Sequence, residues 1–82
     1  MIKTKTELLA AMKANPALRL YGHMGARPAS PWKYKLRDEV AKTDIDTVSS
    51  VAVNALHVAE SLHTVRSSWQ YGVYRLTAAA RA

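Results

Sequence analysis

The stretch DIDTVSSVAVNALHVAESL limits what this chain can fold into more than any other. Val48, Val51, Ala52, Ala55, Leu56, Ala59 and Leu62 recur at offsets of three and four, which draws one apolar stripe along a helix expected over residues 46–62. Asp44, Asp46 or Thr47 can cap its start, where acidic charge suits the helix dipole. Ser49, Ser50, Val53, Asn54, His57 and Ser61 fall on the other side, toward solvent. A helix striped on one side must bury that stripe against a second layer.

Period-two segments supply the layer. Leu18, Leu20 and Gly22 alternate with Arg19, Tyr21 and His23, and Trp32, Tyr34 and Leu36 alternate with Lys33, Lys35 and Arg37. Between them GHMGARPASP gathers Gly22, Gly25, Pro28 and Pro31 into a loop, so a hairpin over residues 18–37 is expected. The second arm has an alternative. Ser30-Pro31 could form an N-cap and N1 pair, with Trp32, Leu36 and Val40 one turn apart on a helix. Three basic residues in its first two turns would oppose the dipole, and aromatics prefer a pleated surface, so the strand is the favoured reading of residues 32–40.

Ahead of the hairpin, Thr4 or Thr6 can cap a helix over residues 4–14 built on Leu8, Leu9 and Met12, which Asn15-Pro16 stops. After Leu62, residues 63–66 read as a strand, Ser67-Ser68 as the start of a turn, and Trp69 to Leu76 as a return strand with Tyr74 and Leu76 on one face. Thr77 would then begin a frayed alanine-rich turn that leaves Arg81 in solvent. The expectation is a single α+β domain over residues 1–82: helix, hairpin, long helix, C-terminal hairpin. Eighty-two residues suffice for one domain that buries roughly 60–65% of its unfolded surface.

Apolar residues at 49% and charged residues at 22% are ordinary for a globular protein. With no cysteine there is neither a disulfide framework nor a thiolate site, which fits a reducing compartment. No window of about 18 apolar residues exists, and MIKTKTELLAAMKANPA is amphipathic rather than a signal peptide, so a cytoplasmic location and no membrane partner are expected.

The net charge is +6 and unevenly spread. Residues 1–37 carry Lys3, Lys5, Lys13, Arg19, Arg27, Lys33, Lys35 and Arg37 against Glu7 alone. Residues 38–62 hold Asp38, Glu39, Asp44, Asp46 and Glu60 against Lys42, and Arg66, Arg75 and Arg81 follow. Such asymmetry can build a basic face that attracts a polyanion such as nucleic acid, and it can equally be plain solvation.

Signs of catalysis are weak. His23, His57 and His63 lack metal-ligand spacing, Asp44 and Asp46 look like cap residues, and no nucleophile sits at a strained turn. GHMG matches the GXXG of KH domains by letter only, since no two helices flank it. The chain is therefore expected to be no enzyme and to need no cofactor or metal. Trp32, Tyr34, Trp69, Tyr71 and Tyr74 interleave with basic residues and could stack on bases in single strands, although such residues more often make the core of a protein without phenylalanine.

The chain ends Tyr74-Arg75-Leu76-Thr77-Ala78-Ala79-Ala80-Arg81-Ala82. This resembles the tail of winged helix-turn-helix domains, "YRLT, two residues, Gly-Arg-Ala", with Ala80 in the glycine place. Thr47-Val48-Ser49 through Val53, Ala55 and Leu56 is similar to the recognition helices of the same domains. The resemblance covers residues 46–82, requires a preceding helix at residues 38–44, and sets Glu60-Ser61 where those domains usually place glycine. It implies a winged-helix-like fold and a non-catalytic DNA-binding regulator of the kind found in phages and mobile elements. Double-stranded DNA would be the partner. Ser50, Asn54 and His57 would read bases, while Lys33, Lys35, Arg37, Arg66 and Arg75 hold phosphates. The recognition helix carries no Arg or Lys, so Ser50, Asn54 and His57 also read as an ordinary solvated face. A second reading stays open, a phage-encoded inhibitor that binds a host nucleic-acid-handling or defence complex through Trp69 or Tyr71 with Arg75. Under either reading a homodimer is compatible with the sequence.

Overall fold

The structure is a computed structural model that describes residues 1–24 and 32–81. The order of elements is α1 (Lys5–Ala14), β1 (Leu18–His23), β2 (Lys33–Asp38), β3 (Thr43–Val48), α2 (Ser50–Val58), β4 (Leu62–Ser67), β5 (Tyr71–Leu76) and α3 (Ala78–Arg81). The five strands form one sheet in the order β3-β2-β1-β5-β4, every neighbouring pair antiparallel. The protein is thus a small α+β domain.

Helices α1 and α2 cover one face of this sheet. Thr4 caps α1, its hydroxyl accepting from the Glu7 N–H at 3.2 Å, and the helix turns Leu8 and Met12 inward. Ser49 caps α2 in the same way through the Val51 N–H at 3.2 Å, and Ala52, Val53 and Leu56 are its buried residues. These meet Leu18, Leu20, Leu36, Val48 and Leu76 from the sheet to form one core. Because β3 and β4 lie at opposite edges, the connection that contains α2 crosses the sheet, which is why so short a helix reaches so much of the core.

The hairpin over residues 18–37 forms as expected, and residues 33–38 are strand rather than helix. The Ser30-Pro31 cap lies outside the described residues. The expected layout fails between the hairpins. Residues 43–48 are a strand, so the helix expected over 46–62 runs only from Ser50 to Val58, and residues 39–42, within the stretch a helix-turn-helix would need as a helix, form a turn. Five paired strands and the missing second helix depart from the winged-helix arrangement of the sequence reading. The cause is pairing. Thr43, Ile45, Thr47 and Val48 are β-branched, β2 offers them a free edge, and Asp38 fixes the turn by accepting from the Val40 and Ala41 N–H groups at 2.9 Å each. Asp44, Asp46 and Thr47 therefore sit in a strand, and none of them caps the helix.

The stripe on α2 is also rotated from expectation. Val53, expected toward solvent, is fully buried, and Val51, expected in the core, is 71% exposed. Crossing from a sheet edge orients the helix by Ala52 and Leu56, and Val53 lies on their side. Glu60 stands where winged-helix domains usually place glycine and takes the left-handed conformation itself, φ 55°. The Glu60 N–H reaches the His57 carbonyl at 3.0 Å and the Ser61 N–H reaches the Leu56 carbonyl at 3.0 Å, which is a Schellman stop built on a non-glycine residue. At the chain end Thr77 caps α3 through the Ala80 N–H at 3.2 Å, but Arg81 is not a spare cation: its guanidinium donates to the Met12 carbonyl near the end of α1 at 3.2 Å.

Candidate functional site

Strand register decides what the other face of the sheet displays. Leu18, Leu20 and Gly22 of β1 face the helices, so Arg19, Tyr21 and His23 face away. Their partners in β2 are Arg37, Lys35 and Lys33, and in β5 Tyr21 and His23 stand beside Val73 and Tyr71. The same alternation puts Arg75 on this side, while a bulge between Thr64 and Arg66 brings Arg66 opposite Val73. Among the described residues no helix covers this open face. It gathers Arg19, Lys33, Lys35, Arg37, Arg66 and Arg75, half of the twelve Lys and Arg residues of the chain.

Little negative charge offsets them. Asp44 is reached by Lys35 Nζ at 3.2 Å and by an Arg37 guanidinium nitrogen at 3.0 Å, across a bulge that puts Asp44 opposite Arg37. The hydrogen bonds from Lys35 and Arg37 hold the Asp44 carboxyl below its usual range. Among the described residues Arg19, Lys33, Arg66 and Arg75 have no carboxylate at ion-pair distance. Arg19 donates to the Pro16 and Leu18 carbonyls at 2.8 and 2.9 Å. It also stands directly opposite Arg37, an arrangement of like charges that works against the sheet.

Tyr21 is the centre of the face. Its hydroxyl donates to Glu39, and burial, followed by that bond, pushes the phenol above its ordinary value, while Arg66 beside it pulls the other way. Val73, flanked by Tyr21 and Arg66 across the two strands, is only 2% exposed although it lies outside the helix-side core. Tyr21 and Val73 thus form a small roofed patch ringed by cations. Tyr71, 42% exposed, and Trp69, 74% exposed in the β4–β5 turn, stand at one end of the face beyond it.

The residues expected to act together divide between two sides of the molecule. Lys33, Lys35, Arg37, Arg66 and Arg75 share the open face. Ser50, Asn54 and His57 lie on α2, behind the sheet, with Asn54 and His57 exposed and the His57 ring edge-on to Tyr74 at 5.1 Å. The two sets meet only at one edge, where Lys33 and Ser50 line a single cleft of about 420 Å³ with Trp32 and Tyr34. The sequence alone assigns no site role to Arg19, Tyr21 or His23. Their alternation with buried leucines was the available signal, but only the β1–β2 register sets Arg19 beside Arg37.

Among the described residues no group of three or more His, Asp or Glu side chains is placed to hold a metal ion, and no helix is long and apolar enough to cross a membrane. Comparison with family models, with curated proteins and with solved structures returned no match.

Proposed function

We propose that this protein is a small non-catalytic DNA-binding protein that holds its partner on the open face of the sheet. The observation that carries this reading is the cross-strand array of cations, Arg37 beside Arg19 and Lys35 beside Tyr21, with Arg66 and Arg75 on the far strands. Like charges set side by side cost a fold energy that a bound polyanion returns, and Lys and Arg are the groups that hold phosphates. In the winged-helix form of the idea α2 enters a groove while the cations clamp the backbone. That form asks for both on one side, and only Ser50, which shares a cleft with Lys33, comes beside the cations, so the sheet face carries the proposal. A role in the regulation of a phage or mobile element is an extension that rests on the YRLT tail.

Salt dependence tests the reading. Fluorescence anisotropy with labelled DNA, as duplex and as single strand, should give a log affinity that falls linearly with log salt. Replacing Lys33, Lys35 and Arg37 together by Gln should flatten that slope by up to about 3 while leaving the circular dichroism spectrum unchanged. Absence of binding to either form at about 50 mM salt overturns the proposal. The protein-binding inhibitor is then the reading to take up, because Trp69, Tyr71 and Arg75 have the composition of an interface hot spot.

A further inference from the structure

Within the DNA-binding reading, on which this inference rests, we infer that the open face takes a single-stranded polynucleotide whose unpaired bases stack on Tyr71 and Trp69. These two side chains are left out of the packing. Neither belongs to the hydrophobic core, and both are substantially exposed in a protein whose other described aromatics are at least partly buried. Tyr21 has a structural task at the centre of the face, and Tyr34 and Tyr74 pack on the helix side. Tyr71 and Trp69 have none.

Their placement is that of a platform. Tyr71 stands across from His23, and His23 from Lys33, so an exposed aromatic, an imidazole and an ammonium follow one another over three strands. Beyond this row Met24 donates its N–H to the Gln70 carbonyl at 2.8 Å, which ties the end of β1 to the turn that carries Trp69. Ser68 fixes the same turn by accepting from the Gln70 N–H at 3.2 Å. The aromatic end of the face is thus braced, and Arg66, Lys35, Arg19 and Arg75 lie along the strands behind it. A cationic track with aromatic rings at one end is the combination by which single strands are held without sequence preference.

Dimensions argue against a duplex as the preferred ligand. Five strands about 4.8 Å apart make a surface roughly 19 Å wide, which exceeds the roughly 12 Å of a major groove. A duplex could rest on the sheet only by its phosphates, with its bases stacked inside and out of reach of Tyr71 and Trp69. Unpaired bases can leave their own stack for these rings, and each such contact is worth a measurable factor in affinity.

The test uses the full chain with oligo(dT) and oligo(rU) of about 12 nucleotides and a DNA duplex of equal length, at about 100 mM salt. Binding of at least one single strand about tenfold more tightly than the duplex is expected, and the tighter of the two identifies the sugar the face prefers. Trp69→Ala combined with Tyr71→Leu should weaken single-strand binding by roughly 5- to 150-fold for each stacked base lost and leave duplex binding within about twofold. Arg66→Ala with Arg75→Ala should weaken both forms alike. Trp69→Ala alone, in an exposed turn, provides the same comparison should the double variant melt early. Duplex binding as tight as the tighter of the two single strands, or a loss in the aromatic variants that is equal for both forms, overturns the inference and leaves DNA binding standing. If no nucleic acid binds at low salt, both fall.

Discussion

Leu20 and Tyr21 are neighbours in β1, yet they belong to two chemically different surfaces of one sheet. On the helix side Leu20 is fully buried among Leu8, Met12, Leu36 and Leu56. On the open side Tyr21 lies among Lys35, Arg66 and Val73 and donates its hydroxyl to Glu39. The helix side is satisfied: apolar groups fill it and like meets like. The open side is not, because Arg19 faces Arg37 and four cations there find no carboxylate among the described residues. A surface that the fold alone would not arrange in this way is where a partner is to be sought.

The helix side leaves little room for change even in its glycines. Gly22 and Gly72 stand opposite each other, and a Cβ on Gly22 would come within 2.6 Å of the Tyr34 ring, while one on Gly72 would meet the Tyr74 hydroxyl. The two tyrosine rings lie where side chains would otherwise be, and Trp32 stacks on Tyr34 with ring centroids 6.5 Å apart. Packing of this kind predicts that the helix side is the place to break the fold. Leu56→Ala should cost about 2–5 kcal/mol, the range for truncating a fully buried leucine, which is most of the stability of a domain this small. Thermal denaturation followed by circular dichroism reads the loss. An unchanged melting temperature would erase the distinction between the two sides.

Much of this contrast was legible in the sequence, strand by strand. The alternation Trp32, Tyr34, Leu36 against Lys33, Lys35, Arg37 separated one set from the other, and Leu18, Leu20 and Gly22 did so for β1. What the letters do not carry is register. That Arg37 meets Arg19, or that Tyr21 lies between Lys35 and Val73, depends on which residues pair across strands, and the bulges after Leu36 and Thr64 shift that pairing. The strand β3 was hidden for another reason. Val48, Val51 and Ala52 are spaced as on a helix, and Val48 is apolar and buried in either conformation, so the helical period runs on through a segment that pairing with β2 makes a strand. Ser49, a capping residue followed by the apolar run, marked the true start of the helix.

A smaller effect comes from the end of α2. Glu60 sits at φ 55°, where a side chain costs energy that glycine does not pay. Its side chain is exposed and makes none of the ion pairs found among the described residues, so only the backbone geometry is at stake. Glu60→Gly should therefore stabilise the fold by about 0.5–1 kcal/mol, raising the melting temperature by a few degrees. A fall would mean that α2 does not end in the left-handed turn, and the rotation that buries Val53 and exposes Val51 would lose its anchor.

The smallest expected change in stability accompanies a change in binding, and it separates the two sides by pH. Two aspartates have carboxyls held below their ordinary range. Asp38 is lowered first by the Ala41 N–H and then by Asn15, whose amide donates at 3.1 Å, and Asp44 by Lys35 and then Arg37. A carboxyl whose folded pKa is depressed contributes stability above its unfolded value, 3.8 here, and that contribution is lost as pH falls through the folded value, so both losses belong below about pH 4. For Asp38 protonation loosens the β2–β3 turn. For Asp44 it also releases Lys35 and Arg37, so the open face becomes more cationic as the fold weakens. Asp44→Asn separates these consequences at neutral pH, because Asp38 and its turn remain intact. The variant should melt close to the parent, since an exposed ion pair contributes little, and should bind the oligonucleotides a few-fold more tightly at low salt. Its acid melting curve should keep the share that belongs to Asp38. Weaker binding by Asp44→Asn would mean that Asp44 positions Lys35 and Arg37 for the phosphates instead of competing with them.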